Sequence, residues 1–179
     1  MTGGRFQILS LDGGGLRGMF SAAVLARLEE DLDVRVVDHF DLIAGTSTGG
    51  IIALGLGLGM SPRDILQFYT DHGPRIFRDR SRLRGVRHLL PWARDAVEVL
   101  MRAQSESATK QVRHFLGADQ VLRLNPTVPT GALALDKVDA DDLIGRAGHE
   151  SRTASPSFTR CFADHTAPAY VPYYPARKD

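Results

Sequence analysis

The sequence predicts an α/β domain on a largely parallel sheet, and three observations carry that expectation. A short apolar run, Phe6-Gln7-Ile8-Leu9-Ser10-Leu11, ends in Asp12-Gly13-Gly14-Gly15, the pattern of a buried strand entering a turn. From Leu16 to Leu32, apolar residues recur at Phe20, Ala23, Val24, Leu28 and Leu32, with Arg27, Glu29, Glu30 and Asp31 opposite or after them, which suits an amphipathic helix. The unit then repeats: residues 34–37 and 40–44 are strand-like, 45–50 form a second small-residue turn, and 51–58 read as a helix. Strands alternating with helices predict a mostly parallel sheet covered on both faces.

Further along, Ser61-Pro62-Arg63-Asp64 places a capping residue before a proline at the first helical position and a carboxylate in the first turn. A helix to about His72 follows, stopped by Gly73-Pro74. Residues 91–116 read as one long helix with Val97, Leu100, Met101 and Ala108 on its apolar face and Gly117 as its stop. Gln120 to Leu124 reads as a strand ending at Asn125-Pro126, and Asp136 to Gly148 as a helix with an acidic start. The tail, with Pro156, Pro168, Pro172 and Pro175, shows little regular periodicity.

The chain has 179 residues, 43% hydrophobic and 24% charged, which fits a single domain over residues 1–179 and excludes collagenous and disordered classes. Lys+Arg 22 against Asp+Glu 21 leaves a net charge of +1, so no overall basic field points to nucleic acid. The neutral average hides one basic segment: Arg75, Arg78, Arg80, Arg82, Arg84 and Arg87 face only Asp79. That segment reads as a solvated face, or as a peripheral contact with an anionic membrane surface. The apolar run Ile51–Met60 is shorter than the roughly 18 residues of a membrane span. Residues 1–10 lack the layout of a secretory signal, and the lone Cys161 cannot close an internal disulfide. A cytoplasmic location is expected, with peripheral membrane contact as an addition.

Two motifs carry chemistry. Gly45-Thr46-Ser47-Thr48-Gly49 is a G-x-S-x-G lying where a strand gives way to a helix, the context that makes it informative. A nucleophile on so tight a turn takes an unfavourable backbone conformation, and side chains at Gly45 and Gly49 would collide with the neighbouring strand or helix. Ser47 is thereby exposed beside a helix N-terminus that favours developing negative charge. The second motif is Asp12-Gly13-Gly14-Gly15-Leu16-Arg17-Gly18. Successive N–H groups of Gly13, Gly14 and Gly15, with no side chains intervening, could converge on one anion and form an oxyanion hole. The same glycines also satisfy G-x-G-x-x-G, with Asp38 or Asp41 near the place of a ribose-binding acid, so dinucleotide binding is a competing reading. A dinucleotide site has no use for G-x-S-x-G at the next turn, whereas a serine acyl hydrolase needs both motifs.

DGGGLRG at 12–18 followed by GTSTGG at 45–50 resembles the patatin-like phospholipase family. The likeness extends through FDLIAGTSTGGIIALGLGLG and SPRDILQFYTDHGPRIF over the first half, residues 1–90. Within residues 91–179, VLRLNPTV and ALDKVDADDL are similar to the C-terminal part of bacterial members. The resemblance implies an α/β/α three-layer fold and hydrolysis of glycerolipid acyl esters, as by a phospholipase A or lysophospholipase. It implies a Ser–Asp dyad that uses no histidine, metal or other cofactor. It matches Ser47 to the nucleophile, and Gly13, Gly14 and Gly15 with Arg17 to the oxyanion loop. The family's dyad aspartate sits in a downstream D-G-[GA] motif, and the only Asp-Gly here is Asp12-Gly13. No aspartate is therefore matched to the dyad, as if the middle segment were missing near Leu90-Pro91 and the sheet incomplete.

Among the six histidines, His39, His72, His88, His114, His149 and His165, His149 or His165 with Asp164 would keep a Ser-then-His order. No clustered Cys/His spacing indicates a metal site. A phospholipid or another acyl glycerolipid is the expected partner, and an exposed sheet edge favours homo-oligomerisation. The alternative from a different class is a catalytically silent relic or interaction module that keeps the lipid-facing half of the fold.

Overall fold

The computed structural model describes residues 5–13, 18–78, 91–125 and 140–169, with 73–78, 91–102 and 140–141 described by their backbone alone. In chain order the elements are β1 (Ile8–Leu11), α1 (Gly18–Leu32), a 3-10 turn (Val36–His39), β2 (Leu42–Gly45) and α2 (Thr48–Gly57). They are followed by α3 (Pro62–Arg78), α4 (Pro91–Leu116), a short 3-10 turn (Ala118–Gln120) and α5 (Ala140–Cys161).

β1 and β2 pair in parallel, from Ile8 opposite Leu42 to Leu11 opposite Gly45. The ladder is extended by Leu42 N–H to the Gln7 carbonyl at 3.2 Å and by Thr46 N–H to the Leu11 carbonyl at 3.1 Å. With α1 as the crossover, this is the β-α-β unit that the alternation of elements predicts. Side chains alternate across the strands: Leu9, Leu11 and Ile43 turn to the core, while Ile8 and Leu42 are 54% and 46% exposed. Among the described residues the second sheet face is thus open, an α/β arrangement with one of its layers incomplete.

Helix α1 is the centre of the core. Met19, Ala22, Ala23, Val24, Leu25 and Leu28 are all buried, and the alanines allow close approach to α3 and α5. At the start of α3, where the sequence predicts a capping residue, Ser61 Oγ accepts the Asp64 N–H at 3.1 Å and Ser61 N–H donates to Asp64 Oδ2 at 3.3 Å, a reciprocal capping box. Arg63 then pairs with Glu30 on α1. Helix α5 buries Leu143, Ala147, Ser151, Ala154 and Phe158 along one face. Phe158 meets Phe40 and Phe162 with ring centroids 6.2 and 5.9 Å apart, and the buried Ser151 hydroxyl donates to Asp31 of α1 at 2.9 Å.

Five local expectations are corrected. Residues 34–37 are not a strand: the chain makes a 3-10 turn at Val36–His39, with Val36 N–H donating to Glu29 Oε1 at 2.9 Å. Gly73-Pro74 does not stop α3, which runs to Arg78; a proline removes one N–H and can bend a helix without ending it. Gln120–Leu124 has no strand partner among the described residues: Gln120 ends a 3-10 turn, and the residues after it form no regular element. The helix expected to end at Gly148 continues through it and through Pro156 to Cys161, because burial of its apolar face outweighs one lost backbone hydrogen bond. Helix α4 ends as predicted, at Gly117 with φ +93°, although Ala108, assigned to its apolar face, is exposed. No helix among the described residues is long and apolar enough to cross a membrane.

Candidate active site

Because β1 and β2 are parallel, their C-terminal ends bring both glycine turns to one edge of the sheet, where α/β folds place their ligands. The turns touch. Gly13 N–H donates to Thr46 Oγ1 at 3.1 Å, and a Cβ on Gly13 would lie 2.4 Å from the Thr46 carbonyl oxygen and 2.8 Å from Ser47 Cβ. A Cβ on Gly45 would fall 2.3 Å from the Gly49 carbonyl carbon, and one on Gly49 would fall 2.2 Å from the Leu11 carbonyl oxygen. The shortest contact at each glycine is with backbone, so none can be relieved by turning a side chain.

Ser47 sits at the apex with φ 53° and ψ −121°, one of two non-glycine residues with positive φ among the described residues. That conformation costs on the order of 1–3 kcal/mol and is held by its surroundings. Its backbone is fixed on both sides: Gly49 N–H donates to the Thr46 carbonyl at 2.9 Å and Ile51 N–H to the Ser47 carbonyl at 3.2 Å. Although Ser47 occupies the N-cap position of α2, its hydroxyl makes no capping hydrogen bond. The side chain is exposed.

Gly13 is committed to Thr46 through its N–H, so an oxyanion would draw on the N–H groups after it. Gly14, Gly15 and Arg17, which complete the expected oxyanion loop, lie outside the described residues, as do residues 79–87 of the arginine segment. The loop begins from a fixed point, because Asp12 Oδ2 accepts Arg123 Nη2 at 2.6 Å. Nothing in the spacing of the sequence pointed to Arg123, which lies 111 positions from Asp12.

His165 does not approach Ser47. Its Nε2 lies 2.8 Å from Asp41 Oδ2, and its carbonyl oxygen lies 2.7 Å from His39 Nδ1. Asp41 precedes β2 whereas Ser47 follows it, so the rise of the strand keeps them on the order of 15 Å apart. Asp41 also accepts Gln7 N–H at 2.7 Å; that bond, acting with His165 against partial burial, holds its carboxyl below the ordinary 3.8. The same placement takes Asp41 away from the glycine loop that a ribose-binding acid would have to serve. His149 lies exposed on α5. Among the described residues no side chain accepts the Ser47 proton, and no group of three His, Cys, Asp or Glu is placed to hold a metal ion.

The family model for patatin-like phospholipase matches residues 9–175. Among curated proteins, the chain is 46% identical over 83 residues to a cGAMP-activated phospholipase of Escherichia coli strain TW11681, covering 42% of this chain and 23% of that protein. It is 42% identical over 97 residues to patatin-like protein 1 of Arabidopsis thaliana, covering 47% and 23%. It is 43% identical over 75 residues to a cUMP-AMP-activated phospholipase of Escherichia coli, covering 42% and 23%. These matches span about a quarter of the relatives' own length. No solved structure matches the chain.

Proposed function

Because the chain belongs to the patatin-like phospholipase family, we propose that it is a serine lipid acyl hydrolase whose nucleophile is Ser47. The supporting observation is the backbone of Ser47: positive φ, exposed, uncapped, and fixed between glycines that admit no side chain. Ser47 Oγ attacks the ester carbonyl carbon of an acyl glycerolipid and yields its proton to a base. The carbonyl oxygen becomes an oxyanion at the mouth of the Gly13–Gly15 loop, with Arg17 close by in sequence. Collapse of the tetrahedral adduct breaks the ester C–O bond, the alcohol leaves with a proton, and water then releases the fatty acid from Ser47.

One observation favours a second reading. A serine hydroxyl is a weak nucleophile without a proton acceptor, and among the described residues none stands beside Ser47. On that reading the chain is a silent module that keeps the lipid-facing half of the fold. In either case we place it in the cytoplasm, touching anionic membrane surfaces through residues 75–87 and self-associating through its open sheet. Fatty-acid release from phospholipid vesicles, measured for wild type and Ser47→Ala, separates the two. Release lost in the variant supports the hydrolase, whereas no release from folded wild type supports the silent module.

A further inference from the structure

We propose that Arg123 is a positioning residue, which holds Asp12 and Gly13, at the end of β1, against the Ser47 turn by gripping the Asp12 carboxylate. Its Nη2 donates to Asp12 Oδ2 at 2.6 Å and to Ser105 Oγ on α4 at 2.8 Å. The next residue, Leu124, packs against the hydrophobic core, so the guanidinium is presented from a seated segment. Asp12–Gly13 is tied at two points: the carboxylate to Arg123 and the following N–H to Thr46 Oγ1 at 3.1 Å. Thr46 is itself the neighbour of Ser47. Arg123 therefore joins the second half of the chain to a point where the two glycine turns meet.

The burial of the pair says what kind of work it does. Arg123 and Asp12 side chains are 31% and 53% exposed, and exposed pairs contribute little to global stability. The effect of Arg123 is local, on where Asp12 and Gly13 lie. A planar guanidinium that serves two acceptors from one nitrogen also keeps a fixed direction, which a lysine ammonium does not.

The catalytic consequence rests on the reading of Ser47 as a nucleophile, so the test uses two separate readouts. Amide hydrogen exchange over residues 11–18 is compared in the full chain for wild type, Arg123→Gln, Asp12→Asn and the double variant. We expect both single variants to speed exchange there by a similar factor while the rest of β1 and all of β2 are unchanged. The double variant should be no faster than either. Exchange unchanged over 11–18, or raised uniformly through the sheet, overturns the proposal. In parallel, fluorophosphonate labelling of Ser47 should slow by about tenfold or more in both single variants, since misplacement by an ångström costs up to about a hundredfold. Arg123→Lys should recover part of that loss. Wild type that shows the exchange pattern but takes no label leaves the Arg123 tie standing and removes the nucleophile reading. Labelling that is undiminished in both single variants removes the positioning role.

Discussion

Gly49 lies so close to Leu11 that a methyl group at its α-carbon would sit 2.2 Å from the Leu11 carbonyl oxygen. The start of α2 is thereby pressed against the end of β1, and this contact holds the Ser47 turn beside the glycine loop. Gly49→Ala forces backbone apart, and we expect it to lose about 3 kcal/mol or more, at or above the upper end of overpacking costs. Gly145, inside α5 with nothing within 4 Å of its virtual Cβ, is the contrast. There alanine should add about 0.5–1 kcal/mol by helix propensity. Urea denaturation of the two variants checks both signs.

Ser47 holds φ 53° without the freedom of a glycine. Ser47→Gly should therefore raise stability by about 1 kcal/mol while removing the hydroxyl, and Ser47→Ala, which keeps the strain, should not. Thermal denaturation of the two variants side by side is the check. Equal melting temperatures would mean that the turn is not strained.

The α5 contact with the rest of the chain centres on Phe158, 3% exposed, against Phe40, Phe162 and, edge-on at 5.7 Å, the His39 ring. Phe158→Ala should cost about 3–5 kcal/mol. Limited proteolysis should then cut first within residues 140–161, because α5 loses its largest buried side chain.

Asp41 gives the fold an acid limit. Its carboxyl is held below 3.8, chiefly by the Gln7 N–H, so the unfolded chain takes up this proton at a higher pH than the folded one. The resulting stability is fully present above about pH 4 and is lost as pH falls through the lower folded value. Asp41→Asn should be less stable than wild type near neutrality, with the gap narrowing below about pH 4. Urea midpoints measured across that range test it, and a constant gap contradicts it.

Much of this was legible because the relevant signals are local. The glycine turns, the Ser61–Asp64 box and the Gly117 stop each depend on a few adjacent residues whose backbone needs are fixed by their own chemistry. What the sequence hid depends on contacts far apart in the chain. The α5 face from Leu143 to Phe158 was masked by Pro156 and by alanines and serines, whose burial comes from α1. Val121 to Leu124 has strand composition but no neighbouring strand among the described residues, so composition alone misled. At the candidate site, the G-x-S-x-G turn was readable from spacing. The Arg123 grip on Asp12 was not, nor was the diversion of His165 to Asp41, since side chains more than a hundred positions apart met only once α5 and the segment after α4 were placed.

The most direct measurement is reaction of the purified chain with a fluorophosphonate probe beside Ser47→Ala, with folding of both verified by circular dichroism. We expect wild type to be labelled on Ser47 and the variant not at all. A folded wild-type chain that takes no label, or a variant labelled as strongly as wild type, would contradict the assignment of Ser47 as an activated nucleophile.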